Sequence, residues 1–237
     1  MVTAALAQTL FSIGYVGGLL AAAWGCAHVA HQRGLPKGQR LLYFWLMFDA
    51  LIHVFLEGPF VWLSLQGRTV ETSHGFFASV WQEYSYADRR WAVADAGIVS
   101  VELLTVVLTG PLAAYTAWLV LRRDAGYHVW LVLLCGAELY GDYMTFVPEW
   151  LTNAPSLSTD NPLHLYFYLM ASNSVWVCGC AHPGCCAAVP AGTQQPRVVA
   201  HGSRGAQEGG LKRGSAFIEL HGGRTWTIVQ KKQRTGE

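Results

Sequence analysis

LIHVFLEGPF, residues 51–60, sets an ionisable base, His53, four residues before an acid, Glu57, inside a run that is otherwise apolar. Asp49 stands four residues earlier still, so Asp49, His53 and Glu57 follow i, i+4 and i+8 and share one stripe of a helix, while Phe, Leu, Trp and Val cover the rest. The run that holds them, residues 41 to 65, exceeds the roughly 20 residues a bilayer-spanning helix needs. A carboxylate at the centre of such a helix costs about 2.5 to 3.5 kcal/mol on insertion scales. Residues of this kind therefore face a bundle interior and mark a functional site. The plainer alternative is a buried polar network that only orients helices, a role that suits Asp49 taken alone.

The composition agrees with a membrane reading. Of the 237 residues, 52% are hydrophobic and 13% charged, against the roughly 25% charged of a soluble domain. Runs at residues 9 to 31, 95 to 121 and 127 to 147 are also long enough to span, and a fifth, 163 to 177, starts well and stops short. The first run lacks a basic leader and is followed by Arg33, Lys37 and Arg40, so it reads as a permanent span rather than a secretory signal. The predicted fold class is all-α, a polytopic membrane bundle of five transmembrane helices with an incomplete fifth. Residues 1–40 make the first span and a basic cytosolic turn, 41–177 the membrane domain, and 178–237 a Cys/Gly/basic tail.

Charge sets the orientation. The tail holds eight of the sixteen Lys+Arg and three of the fifteen Asp+Glu, making it net +5 and the body −4. With Arg33, Lys37, Arg40, Arg122 and Arg123 in the first and third connections and none in the fourth, a lumenal N-terminus and cytosolic C-terminus fit best. Nucleic acid is excluded as a partner, because the basic residues of the tail are scattered among Gly and Ser without aromatic stacking platforms. Cys178, Cys180, Cys185 and Cys186 bunch around His182 in "CGCAHPGCC". That spacing matches no standard metal pattern, and palmitoylation beside a span is the other reading. In the tail, "SAFIEL" and "TWTIV" suit short strands but cannot bury a core, so residues 187 to 237 are expected to be mostly disordered.

Other spans add polar residues. The third carries Asp95 at its start and Glu102 seven residues on, with Thr105 a turn beyond; the fourth places Glu138, Asp142, Thr145 and Glu149 on one stripe. Glu149, beside Pro148 and Trp150 at the span end, suits a solvated position. The fifth offers Asn173 and Trp176 one turn apart, with Tyr166 two turns before Asn173. Between the second and third spans, "FFASVWQEYSYADRRW" spaces Phe76, Phe77, Val80, Trp81 and Tyr84 as an amphipathic interfacial helix that can cap the bundle. The sum is an intramembrane cavity with a base, carboxyls, an amide and aromatic walls. Three uses suit it: proton chemistry on a lipid-soluble substrate, where acid and base act on different atoms of one molecule; proton or ion transport along the acids; or binding of a lipophilic cation against carboxylates and aromatic faces. His53 and Glu57 form an H-x3-E pair that metals can use, but a second His ligand is missing, and no metal is expected.

The ordered segments "HVFLEGPF", "SVWQEYSYADRRW", "VSVELLTVVLTGPL", "ELYGDYMTF" and "YFYLMASNSVW" resemble the emopamil-binding protein family, the EXPERA-domain membrane proteins that include the sterol Δ8-Δ7 isomerase. The resemblance covers roughly residues 41 to 177. It implies a multi-pass endoplasmic reticulum protein that moves a sterol double bond from C8=C9 to C7=C8 by protonation at C9, a carbocation at C8 and loss of a C7 proton. It puts His53, Glu57 and Glu102 at catalytic positions and Thr105, Asn173 and Trp176 at positions that line or support the site. Tyr84 and Asp142 join these as substrate-binding residues. No cofactor is expected, since isomerisation has no net redox change. A sterol substrate, cationic amphiphilic amines as inhibitors and the lipid bilayer are the implied partners, with a homodimer left open. "FDALIH", "LEGPF" and "TFVPEWLT" are closer to the emopamil-binding-protein-like branch, which gives the alternative of a non-catalytic sterol- or amine-binding protein. The family's last span continues in apolar residues where this chain turns to "CGCAHPGCC", a break that a shifted reading frame or retained intron would produce.

Overall fold

A computed structural model describes residues 2–181 together with the backbone of 216–220 and 224–228. Helix α1 (Val2–Gln32) leads through a turn at Gly34, whose positive φ of 79° favours glycine, into α2 (Lys37–Ile52). Pro36 sits just before α2, where its missing N–H costs nothing and its fixed φ suits entry. After a π-helical segment, His53–Glu57, the same helix continues as α3 (Gly58–Ser64).

The next connection holds α4 (Phe76–Ser85) and the short α5 (Arg89–Ala92). Then α6 (Ala96–Leu104), a second π-helical segment Thr105–Thr109 and α7 (Gly110–Leu121) form another continuous rod, followed by α8 (Tyr127–Leu151). A third π-helical segment, Leu163–Ala171, runs into α9 (Ser172–Cys180), so the last helix extends three residues past the predicted end of its apolar run.

Three of these rods, Leu6–Gln32, Lys37–Ser64 and Ala96–Leu121, are long and apolar enough to cross a membrane. Large apolar side chains such as Trp24, Trp62, Val107, Leu108 and Val132 face outward. In water such surfaces would be costly; against lipid tails they are the ordinary exterior of a span.

Two π segments share one cause. Each is followed by Gly-Pro, Gly58-Pro59 and Gly110-Pro111, and a proline offers no N–H to the carbonyl four residues back. The chain widens by one residue instead, and the N–H of Gly58 reaches the carbonyl of His53, five residues back, as Gly110 reaches Thr105. The carbonyl that Pro59 leaves unserved, that of Phe55, accepts a hydrogen bond from the Tyr15 hydroxyl at 2.6 Å; the neighbouring Leu56 carbonyl accepts one from the Trp81 indole at 2.9 Å.

Two apolar clusters bracket the middle of the bundle. Leu42, Leu46, Ala113, Val120, Leu131 and Leu134 join α2, α7 and α8 at one end. Phe60, Val70, Trp81, Trp91 and Ile98 join α3, α4, α5 and α6 at the other, where the Trp81 and Trp91 rings lie parallel with centroids 4.7 Å apart. The first and third connections meet, Arg123 Nη2 donating to the Gly34 carbonyl at 2.8 Å.

Separately, β1 (Ala216–Leu220) and β2 (Arg224–Ile228) pair antiparallel, Ala216 opposite Ile228 and Leu220 opposite Arg224. These are the two tail segments read as short strands. The remaining expectations for the tail, including the roles of His182, Cys185 and Cys186, lie outside the described residues.

Candidate active site

His53 stands in the π segment midway along the Lys37–Ser64 rod and is 1% exposed. Its Nδ1 lies 2.5 Å from Glu57 Oε2, and its Nε2 lies 3.1 Å from Glu138 Oε1 and 2.8 Å from Asp49 Oδ1. The hydrogen-bond line from Nε2 runs to Glu138. Asp49 is off that line, and neither of its oxygens has a hydrogen-bond partner among the described residues.

The network continues from Glu57. Its Oε2 accepts from the Thr105 hydroxyl at 2.7 Å, and the same hydroxyl lies 3.4 Å from Glu102 Oε2. Thr105 is held by the carbonyl of Glu102 at 2.9 Å. Both ring nitrogens of His53 thus face carboxyl oxygens. Gly110 makes the arrangement possible: a Cβ there would fall 2.9 Å from the His53 Cβ, so only glycine lets α7 come this close.

Above the imidazole lies Trp176, with ring centroids 5.8 Å apart and planes 19° from parallel; Phe48 stacks on the other edge of the same indole. The groups open on a cavity of about 510 Å³, within the range of small-molecule sites. His53, Glu57, Glu102 and Thr105 line it, as do Tyr84, Asp142, Asn173 and Trp176. All eight site residues read from the sequence therefore meet in one place. Burial pushes the Tyr84 phenol well above its ordinary range.

Other expectations are corrected. Glu149 is 5% exposed rather than solvated: it accepts from the Ser156 N–H at 2.9 Å and lies 3.5 Å from Arg90 Nε. Arg90 is bound by Asp88 at 2.6 Å and donates to the Thr145 carbonyl; burial works against its charge, and the Asp88 carboxylate more than restores it. Asp95 is no inward acid. It caps α6, accepting from the N–H groups of Gly97 and Ile98. Tyr166 points outward, and Phe167 and Tyr168 line the cavity instead, because the π-helical winding of 163–171 shifts the face that seven-residue spacing selects.

Glu138 was visible only as one member of the α8 stripe. Its contact with His53 is what the structure adds. Asp49, His53 and Glu138 also place one nitrogen and two oxygen atoms within 4.8 Å of one another, a set chemically able to hold a divalent ion.

Residues 76–181 match the family model described as EXPERA (EXPanded EBP superfamily). The chain is 30% identical over 168 residues to the mouse 3-beta-hydroxysteroid-Delta(8),Delta(7)-isomerase, covering 71% of each protein. A probable 3-beta-hydroxysteroid-Delta(8),Delta(7)-isomerase of rice is 30% identical over 159 residues, 67% of this chain and 70% of the relative. The protoglabretal synthase MOI1 of Citrus sinensis is 29% identical over 141 residues, 60% of this chain and 65% of the relative.

Proposed function

The chain belongs to the EXPERA family, the expanded EBP superfamily, and from that premise we propose that it is a sterol Δ8-Δ7 isomerase. The observation that carries the reading is the single cavity in which a buried imidazole, two carboxyls that meet at the Thr105 hydroxyl and an indole face converge. Proton transfer to one carbon and from another needs an acid and a base within reach of the same molecule. The C8=C9 electron pair takes a proton at C9 and leaves a cation at C8; the C7–H pair then becomes the C7=C8 bond as that proton is returned. The proton count is unchanged and no redox cofactor is required.

Glu102 and Glu57 exchange protons with the substrate, and His53 relays between Glu57 and Glu138. The carboxylate charge and the Trp176 face stabilise the cation, and in a dry site such preorganised charge is the larger contribution to rate. Five helices cross the membrane in this reading, the three apolar rods together with α8 and the Leu163–Cys180 helix, whose acids and amide turn inward. The endoplasmic reticulum membrane is the compartment the family implies.

The test is complementation of cells lacking the isomerase, with sterols read by mass spectrometry. The chain is expected to convert Δ8 to Δ7 sterols and Glu102→Gln to lose at least about 100-fold in rate. A well-expressed chain that converts none would sink the proposal. The stacking of Trp176 on His53 also favours a second reading, a non-catalytic binder of sterols or cationic amphiphiles, and turnover separates the two.

A further inference from the structure

One carboxyl in the cavity has no task in the chemistry above. Asp142 lies on α8 one helical turn, about 5.4 Å, beyond Glu138 and on the same face. Its side chain lines the main cavity, and its Oδ2 is buried without a hydrogen-bond partner among the described residues. The nearby hydroxyl that could have served it, that of Thr145, donates instead to the Gly141 carbonyl at 2.9 Å. Asp142 and Asn173 are also the two residues common to the main cavity and to a second one of about 360 Å³ between α8 and the last helix. The Asn173 amide group is already committed, donating to the Leu169 carbonyl at 2.8 Å. A carboxyl thus sits on a polar seam at the edge of an apolar chamber, with one oxygen that has no hydrogen-bond donor among the described residues.

Leaving a buried acceptor unpaired is costly, and a site built this way prefers a ligand that brings the missing donor. Resting on the isomerase reading, we propose that Asp142 is the specificity residue for the ring hydroxyl of the sterol. It accepts the hydroxyl hydrogen bond at the seam while the second ring sits one helical turn away, beside His53, Glu57 and Glu102. The spacing suits a 3-hydroxysterol, whose hydroxyl and C8 stand on opposite sides of the first two fused rings and so engage separate turns of the site. The ligand class is a lipophilic polycycle with one hydroxyl at the end remote from its tail.

The experiment uses the full chain in detergent with two probes, a 3β-hydroxy Δ8-sterol and its 3-deoxy counterpart. Dissociation constants and turnover are measured for the parent chain, Asp142→Asn and Asp142→Leu, with a thermal unfolding scan of each to establish that it is folded. The parent chain is expected to prefer the hydroxysterol by about 10- to 100-fold in binding. Asp142→Leu should abolish that preference and Asp142→Asn, which keeps a carbonyl acceptor, should retain part of it. Equal binding of the two sterols by the parent chain, or a preference that survives in Asp142→Leu, overturns the assignment. If Asp142→Leu does not fold, an Asp142→Asn variant with undiminished preference and affinity overturns it. Absence of turnover with hydroxyl discrimination intact refutes the isomerase reading and leaves Asp142 in its place.

Discussion

Replacing Gly110 with alanine probes whether the site depends on the close approach of α7 to His53. The backbone at Gly110 is helical, with φ −58°, so alanine meets no conformational objection and would in isolation favour the helix by about 1 kcal/mol. The objection is steric. The new Cβ would lie 2.9 Å from the His53 Cβ and 3.7 Å from its Cγ, whereas carbon atoms pack at about 3.5 to 4.0 Å, so the imidazole or the helix must retreat by about 0.6 to 1 Å. Overpacking of this kind costs about 1 to 3 kcal/mol of stability. For a base held between Glu57 and Glu138, displacement by about 1 Å costs on the order of 100-fold in rate.

The assay pairs thermal unfolding of the purified chain with turnover of a Δ8-sterol. Gly136→Ala serves as the control, because nothing lies within 4 Å of a Cβ at that position. Expected are a lower Tm and a rate loss near 100-fold for Gly110→Ala and neither for Gly136→Ala. A Gly110→Ala chain with unchanged Tm and rate would refute the argument that the helix approach sets the His53 position.

Two further changes test other parts of the molecule. Arg90→Ala leaves Asp88 and Glu149 buried without their cation and should cost about 3 to 5 kcal/mol, read as a fall in Tm, with Arg90→Lys recovering part; an unchanged Tm contradicts it. Trp176→Leu removes the aromatic face over His53 and should weaken binding of a tertiary amphiphilic amine by about 2- to 30-fold; equal affinity by equilibrium displacement would show that the indole only fills space.

The stripe of Asp49, His53 and Glu57 was legible because charge inside an apolar run is rare and its spacing maps onto one helix face. Asp142 and Glu102 were legible for the same reason, Asn173 as an amide in an apolar span one turn from Trp176, and Tyr84 through the aromatic spacing of an amphipathic helix. What escaped depended on partners distant in sequence. Nothing near Glu138 announces that its carboxyl meets His53, 85 residues away, and nothing near Glu149 announces Arg90. Seven-residue spacing from Asn173 selects Tyr166 because periodicity assumes 3.6 residues per turn, and the last helix departs from it where the aromatic residues lie. Asp95 looks like an inward acid until the helix start is known; then its short side chain is a cap.

The π-helical segments carry a consequence for how such a chain can change. In register, each absorbs a single extra residue, which without the wide turn would rotate everything after it by about 100° relative to everything before. His53 and Glu57 lie within one, and Phe60, buried against Trp81 and Trp91, lies just after it. Removing one residue between 53 and 57 would return the segment to ordinary α-helix and keep Phe60 in its cluster, while the facing of the residues within 53–57 would change; a second deletion would throw the two halves of the rod out of phase.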